Sequence, residues 1–183
     1  TKQVGDRQFL LAGIRTDYQK EYDLLLPHKI QGAFLSEPME VSDPFVAVRP
    51  YYDTRLVLNH DEEGNINSHM PEEGKPTAYV WGYQGMHPIA QVDNALPSEI
   101  FHTSFEETGV VGVAHTGIRF FSGSSYTIPM TERPTGTDLV MTYWYYQEGR
   151  WQLQTEVPYQ STINHPGASR LDEIRVYPRG ALV

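Results

Sequence analysis

Three features of the sequence predict an all-β protein. Its 183 residues include 12 Tyr, 7 Phe and 3 Trp, and such side chains suit the half-buried surface of a pleated sheet. Apolar residues rarely recur at helical spacing, whereas turn signals made of Pro, Gly, Asn and Asp return at short intervals. Many short strands joined by such turns are typical of a sandwich or a barrel and not of an α/β fold.

The first region, residues 1–98, is predicted to consist of β-hairpins. Its segment 17–26 has tyrosines four residues apart, but helix is the second choice there because the triple Leu before Pro27 also fits a buried strand. Elsewhere in this region, apolar runs flank turns rich in Asp, Gly and Asn, which is a hairpin signal. The hairpin strands are predicted at 55–59 with 66–70 and at 77–83 with 89–92.

The second region, residues 99–183, is predicted to form a β-sandwich. Its turn signals fall at regular intervals, as the connections of a sandwich do. The run 139–146, Leu-Val-Met-Thr-Tyr-Trp-Tyr-Tyr, has large residues on both faces, which indicates a central strand. Strands are predicted at 102–107, 112–121, 126–129, 138–146, 151–157 and 170–177.

Composition and charge argue against several classes of function. The net charge of −9, with all four lysines before residue 76, argues against a nucleic-acid partner, which needs clustered basic residues. No cysteine is present, so no disulfide is expected, and no apolar run approaches the length of about 20 residues that a membrane span needs. Neither a His-Glu-x-x-His pattern nor a Gly-x-Ser-x-Gly elbow occurs, so no enzyme is expected. The chain also starts without Met or an apolar signal core, which we interpret as a segment of a longer protein.

The first region resembles a known family of large proteins. Residues 59–65, Asn-His-Asp-Glu-Glu-Gly-Asn, lie where these proteins have a Tyr-Asp-x-x-Gly-Asn hairpin, although here Asn-His-Asp replaces the usual Tyr-Asp. Residues 78–95 follow with Tyr-Val-Trp-Gly-Tyr and Pro-Ile-Ala, similar to the segment that comes next in the family. The pattern resembles the YD-repeat (RHS-like) surface proteins of bacteria of the Bacteroidetes type.

The second region resembles the carbohydrate-binding-module-like jelly roll that is often inserted in those proteins. The resemblance implies a YD-repeat-like hairpin region followed by a jelly-roll β-sandwich. It also implies an extracellular or outer-membrane-associated location, with the rest of a larger parent chain or surface assembly as partner. The segments that carry the resemblance are 104–107, 114–117, 142–144, 149–151 and 171–178.

The same resemblance implies a structural Ca²⁺ between the opening Phe-Glu and the closing strand. It nominates Glu106 and Asp172 as ligands, with Glu107 as the alternative acid. His115, Thr116 and Gly117 lie close by as carbonyl donors. Two carboxylates together with carbonyls and water would satisfy the six to eight oxygen ligands that calcium takes. Strand alternation puts Asp172 on the face of Ile174, so we expect it to point inward; otherwise both acids are solvated edge residues.

An aromatic cluster suggests a carbohydrate surface. Tyr143, Trp144, Tyr145, Tyr146 and Trp151 fall within two predicted strands, and aromatic faces can stack on sugar rings. Alternate members must instead fill the core of any sandwich. The candidates retained for glycan binding are Tyr143, Trp144, Tyr146 and Trp151.

These expectations lead to two functions. The first is a non-catalytic structural or adhesive segment of a large secreted or cell-surface bacterial protein. The alternative is a calcium-stabilised, lectin-like glycan-binding module. A hydrolase would need a cleft flanked by two carboxylates, which the sequence alone does not reveal.

Overall fold

The computed structural model describes residues 2–4, 7–21, 24–41 and 53–183, with side chains for 14–20, 24–32 and 53–183. The prediction of an all-β fold is confirmed: the described residues form antiparallel sheets, and their only helical elements are two short 3-10 turns. No helix in the described ranges is long and apolar enough to cross a membrane.

Two compact units divide the chain, Thr1–Lys75 and Pro76–Val183. The sequence analysis placed the domain boundary after residue 98 instead. The hairpin over residues 77–93 therefore belongs to the second unit, together with the sandwich-like sheets, and not to the first.

The first unit is a series of antiparallel strands in which each pairs with the next along the chain. The segment 17–26 spans the end of one strand and the start of the next, so strand was the correct choice over helix. Leu25 is nevertheless 71% exposed, so the expectation of a buried strand is wrong there. The strands are β1 Lys2–Val4, β2 Arg7–Glu21, β3 Leu24–Val41, β4 Asp53–His60 and β5 Ile66–Pro71.

A compact turn closes the β4–β5 hairpin, as the sequence predicts. The carboxylate of Asp61 accepts a hydrogen bond from the backbone N–H of Asn65 at 2.8 Å, and the backbone N–H of Asp61 donates to the carbonyl of Asn65 at 2.9 Å. Gly64 adopts φ +86°, a conformation that side chains disfavour. Local residues therefore specify this turn completely, which is why the sequence predicts it well.

The second unit opens with the hairpin of β6, Thr77–Gly82, and β7, His87–Asp93. The predicted strand over 77–83 is one residue too long, because Tyr83 already has a left-handed φ of 54° in the turn. The hairpin packs through a small buried cluster against the chain's C-terminal part, where Tyr177 joins it. The buried members are Ala78, Val92, Ala95 and Ile100.

The remaining strands form one larger and one smaller antiparallel sheet. In the larger sheet β15 is central, with β12 and then β13 on one side and with β8 and β10 on the other; β9 lies at the edge beyond β10. The smaller sheet pairs β11 with β14. The bounds are β8 Phe101–Thr103, β9 Val110–Val111, β10 Arg119–Ser122, β11 Ser125–Thr127, β12 Leu139–Gln147, β13 Arg150–Pro158, β14 Thr162–Asn164 and β15 Arg170–Pro178.

One face of the larger sheet, called here the core face, packs against the smaller sheet. Ile163 of β14 and Tyr126 of β11 belong to this core, and the arrangement is sandwich-like. The opposite face of the larger sheet is called the outer face. Core residues contributed by the larger sheet are Phe101, Leu139, Met141, Tyr143, Leu171, Ile174 and Val176.

A β-bulge in β15 changes which residues reach each face. Trp144 of β12 pairs with Asp172, whereas Thr142 pairs with Arg175, so β15 has one residue more than β12 between these pairs. Glu173 takes up the extra length with φ 40°. Leu171 and Ile174 consequently both reach the core, and Asp172, next to Leu171, lies on the outer face. The prediction that Asp172 shares a face with Ile174 is therefore wrong.

Candidate functional site

The outer face of the larger sheet carries a row of large side chains across three strands. Arg170 of β15 lies directly opposite Tyr146 of β12, and Tyr146 lies opposite Trp151 of β13. Side chains at directly opposed positions share a face and lie about 5 Å apart at their Cβ atoms. The next row begins with Asp172, which is paired with Trp144.

A loop over residues 112–118, the 112–118 loop, covers Asp172. The sequence predicts a strand over 112–121, which is wrong for this part, because β10 begins only at Arg119. The backbone N–H groups of His115 and Thr116 donate to Oδ2 of Asp172 at 2.8 and 2.9 Å. Oδ1 of Asp172 accepts a third bond from the N–H of Glu173 at 2.8 Å. If these loop residues formed a strand, carbonyl groups of a neighbouring strand would accept the hydrogen bonds of their amides. Here the carboxylate of Asp172 accepts them instead.

Asp172 is completely buried under the loop. Burial raises the pKa of its carboxyl group above the ordinary value, while the hydrogen bonds from Thr116, His115 and Glu173 act in the opposite direction. These three bonds are the compensation that a buried carboxylate requires. Asp172 is therefore a structural group that fixes the 112–118 loop on the sheet.

A second carboxylate holds the other end of the 112–118 loop. Oε1 of Glu106 accepts hydrogen bonds from the backbone N–H groups of Ile118 and Arg119 at 2.9 and 2.8 Å. Gly117 has φ +68°, and a Cβ atom at that position would overlap the Glu106 carboxyl group. Glycine is required here for both its backbone conformation and its lack of a side chain.

Glu106 reaches the loop because the backbone turns sharply just before it. The predicted strand over 102–107 ends early, since β8 stops at Thr103 and Phe105 adopts φ 61°. The ring of Phe105 enters the core, where it contacts Tyr126 edge to face with the ring centroids 5.1 Å apart. Glu106 is thereby directed to the loop, whereas Glu107 is exposed.

The geometry at Glu106 and Asp172 does not fit the calcium site that the resemblance implies. Their bonded oxygens face backbone N–H donors, which carry a partial positive charge where a cation would have to lie. Thr116 uses its N–H on Asp172 and donates its hydroxyl group to Oε2 of Glu173 at 3.1 Å. Among the described residues, no group of three His, Cys, Asp or Glu side chains is placed to bind a metal ion. Calcium binding stays a prediction of the resemblance.

The 112–118 loop brings His115 onto the outer face, where it completes an aromatic cluster. The imidazole of His115 stacks on the indole of Trp144 with ring centroids 3.5 Å apart and 15° between the planes. Trp151 meets His115 edge to face at 6.2 Å and Tyr146 edge to face at 5.3 Å. Trp144, Tyr146 and Trp151 are half-buried and His115 is exposed. These four rings are called the aromatic face.

Arg170 borders the aromatic face and is sandwiched between two rings. The guanidinium carbon lies 4.5 Å from the centroid of Phe120 and 4.8 Å from the centroid of Tyr146. Its Nη1 donates to the carbonyl of Val113 in the 112–118 loop at 2.9 Å. Cation–π contacts of this kind fix the orientation of the guanidinium group.

Tyr143, the fourth residue nominated for glycan binding, does not reach this face. It is only 6% exposed, and its hydroxyl group forms a hydrogen bond with Nδ1 of His165 at 3.1 Å. Burial raises the pKa of Tyr143. The sequence also predicts that every second aromatic residue of this run fills the core, and this is correct for Tyr143 and Tyr145. Tyr145 packs against the core and stacks on His165 with the ring centroids 3.7 Å apart.

The structure thus divides the nominated residues into three groups. Trp144, Tyr146 and Trp151 come together on the outer face, and Tyr143 belongs to the core. Glu106 and Asp172 hold the 112–118 loop, whereas Glu107 is exposed. Sequence reasoning missed Arg170 altogether and named His115 only as a carbonyl donor. Both belong to the site through tertiary contacts, for which strand alternation gives no signal.

Comparisons with known proteins identify no relative of this chain. No protein-family model matches the sequence, and neither a curated protein nor a solved structure matches it. What the site does must be argued from its own geometry.

Proposed function

We propose that the chain is a non-catalytic adhesive segment of a larger secreted or cell-surface bacterial protein, and that its second unit binds a glycan through the aromatic face. The function has two parts, a structural part for the hairpins and a binding part for the sandwich-like unit. The resemblance to YD-repeat surface proteins supports the first part. The geometry of the outer face supports the second.

The observation that carries the binding part is the separation of the aromatic residues of β12 between the two faces of the sheet. Tyr143 belongs to the core and Tyr145 packs against it. Trp144 and Tyr146, together with Trp151 of β13, lie on the face away from it. Large aromatic residues that face away from a core and keep partial exposure are typical of binding surfaces.

The shape of the aromatic face suits a sugar ring. Trp144 supports His115 from below, so the exposed imidazole forms a flat top layer. Trp151 stands nearly perpendicular to that layer, at 70°. A pyranose ring has a flat apolar side and a rim of hydroxyl groups, and the perpendicular arrangement offers it two aromatic walls with His115 and Arg170 as polar partners.

A glycan array probed with the labelled full-length chain tests the proposal. We expect binding to a defined group of glycans, and we expect Trp151→Ala to weaken it by about tenfold or more, since removing a central aromatic residue commonly costs more than about 1 kcal/mol of binding energy. Tyr83→Ala is the matched control, because Tyr83 is an exposed aromatic residue in the β6–β7 turn, outside the aromatic face. It should leave binding unchanged.

Thermal unfolding of each variant separates binding from packing. A folded Trp151→Ala variant that has lost binding supports the glycan surface. If Trp151→Ala unfolds at room temperature, the aromatic face is a second packed core and the binding part is wrong. The absence of binding to any glycan by a folded wild-type chain also excludes the binding part and leaves the structural part alone.

A further inference from the structure

We propose that the glycan bound by the aromatic face is acidic, and that Arg170 recognises a carboxylate group on it. This inference rests on the proposed glycan-binding function and adds the chemical class of the ligand. It follows from the state of Arg170 and from the placement of charge around the aromatic face.

Arg170 has no carboxylate partner in the part of the chain that the structure describes. The other arginines of β15 and its end are paired: Arg175 with Glu173, and Arg179 with Asp138 at 3.1 Å. Arg170 instead makes its one described hydrogen bond to a neutral carbonyl, that of Val113. A guanidinium group has five N–H donors, so most of its donor capacity is available to a ligand.

The two rings hold Arg170 ready for such a ligand. Phe120 and Tyr146 both contact the guanidinium, and the bond to Val113 fixes a third direction. An arginine with few free rotamers loses little entropy when it forms the paired hydrogen bonds that a carboxylate accepts. Tyr146 also belongs to the aromatic face, so the bound carboxylate would lie next to the stacked sugar.

The two acids that hold the 112–118 loop do not compete for Arg170. Asp172, two residues along the same strand, is completely buried and its oxygens accept three backbone hydrogen bonds. Glu106 is likewise engaged with the amides of Ile118 and Arg119. Among the described residues, Arg170 therefore presents an unpaired positive charge at the border of the aromatic face, although the chain as a whole has a net charge of −9. A guanidinium group in this state favours an anion over a neutral or cationic sugar.

The test is an array on which each carboxylated glycan, of uronic-acid or sialic-acid type, stands beside its methyl ester. The full-length chain should bind at least one acid form about tenfold more tightly than its ester, because the ester keeps the sugar and removes only the charge. Raising the NaCl concentration should weaken binding of the acid form and leave the ester unaffected.

Substitutions at Arg170 locate the effect. Arg170→Gln should bring the acid and ester forms to within about twofold of each other, and Arg170→Lys should restore part of the preference, since it keeps the charge but lacks the planar fork. If Arg170→Gln does not fold, Arg170→Lys decides, because a folded Arg170→Lys variant with the full wild-type preference for acids would overturn the role of Arg170. Arg150→Gln, at an exposed arginine that faces away from the aromatic face, is the matched control.

The outcomes distinguish this inference from the function on which it rests. Equal binding of acids and esters, or binding of neutral or sulfated glycans only, overturns the carboxylate assignment and leaves glycan binding intact. A preference for acids that survives Arg170→Gln overturns the role of Arg170. Binding to nothing on the array overturns the proposed function itself.

Discussion

The two faces of strand β12 carry aromatic residues of similar size, yet the faces differ in what surrounds these rings. Tyr143 and Tyr145 on the core face pack among apolar side chains and contact one polar neighbour, His165. Trp144 and Tyr146 on the outer face contact a histidine, a second tryptophan and an arginine. The comparison shows that an aromatic run alone does not identify a binding site. The side chains that other strands and loops place beside each face distinguish a candidate site from the core.

The outer face also contains buried polar groups. Asp172 and His102 both lie on it, and each is held there by tertiary structure: Asp172 by the 112–118 loop and His102 by its place in β8 opposite Arg175. Apolar side chains are buried on both faces, with Val140 and Phe120 on the outer face, and the outer face adds the buried carboxylate of Asp172. Three predictions examine that difference, beginning with the largest expected effect.

The first prediction compares one leucine on each face. Leu171→Ala should lower the free energy of unfolding by about 3–4 kcal/mol, because Leu171 is completely buried in the core and its loss leaves a cavity. Leu153→Ala on the outer face should cost less than about 1 kcal/mol, since Leu153 is 43% exposed. Urea unfolding followed by tryptophan fluorescence measures both. Equal losses would show that the outer face is packed as tightly as the core.

The second prediction concerns the pH dependence of stability. Burial lowers the pKa of His102 from 6.5 to about 4; Glu173 acts against this shift and Arg175 adds to it. Above pH 6.5 His102 is neutral in both the folded and the unfolded chain. As the pH falls to about 4, the unfolded chain takes up a proton that the folded chain does not, so the free energy of unfolding should fall by at most about 3 kcal/mol.

The variant His102→Gln isolates this contribution. Its unfolding free energy should change less between pH 6.5 and 4 than that of the wild-type chain, and the difference between the two curves is the quantity to measure. His165, whose pKa burial also lowers, and Asp172, whose pKa burial raises, contribute to both curves and cancel in the difference. Parallel curves would exclude a perturbed His102.

The third prediction tests whether Asp172 fastens the 112–118 loop. Asp172→Asn should lower the free energy of unfolding by about 2–3 kcal/mol. The NH₂ group of asparagine would face at least one of the three backbone N–H groups whose hydrogen bonds the carboxylate now accepts. Hydrogen exchange should show faster exchange of the His115 and Thr116 amides. Glu107→Gln, which removes an exposed acid, is the control and should change neither quantity.

Calcium binding is the alternative role for Asp172. Because N–H donors already occupy the oxygens of Asp172, the Tm of the wild-type chain should differ by less than about 1 °C between millimolar calcium and a chelator. A rise of several degrees with calcium that Asp172→Asn abolishes would establish the metal site that the resemblance implies. It would also require the loop amides to turn away from the carboxylate.

Strands whose pattern is local could be predicted from the sequence almost to the residue. β12 was predicted at 138–146 and lies at Leu139–Gln147, and β15 was predicted at 170–177 and lies at Arg170–Pro178. Both have continuous apolar and aromatic runs bounded by turn residues. The β4–β5 hairpin was predictable for the same reason, since its turn is stabilised by contacts of Asp61 with Gly64 and Asn65.

Features that depend on distant residues could not be predicted. The segment 112–118 has strand-like composition, but its amides bond to Asp172, more than fifty residues away. The bulge at Glu173 shifts the alternation of β15 by one residue, and nothing in the local pattern announces it. That one shift moves Asp172 from the core face to the outer face, and the aromatic face is assembled around it.

The fastening of the 112–118 loop has a consequence for how its sequence can vary. Two carboxylates hold the loop through its backbone amides. Gly117 adopts a positive φ angle that residues with a side chain rarely adopt. The side chains of Val113 and Ile118 are 73% and 61% exposed, so the fold makes little use of them. Val113, whose carbonyl accepts a hydrogen bond from Arg170, borders the aromatic face. Because backbone amides hold the loop, the side chains at both positions can be randomised while the loop keeps its path, so a library built here would vary the proposed binding surface on an unchanged scaffold.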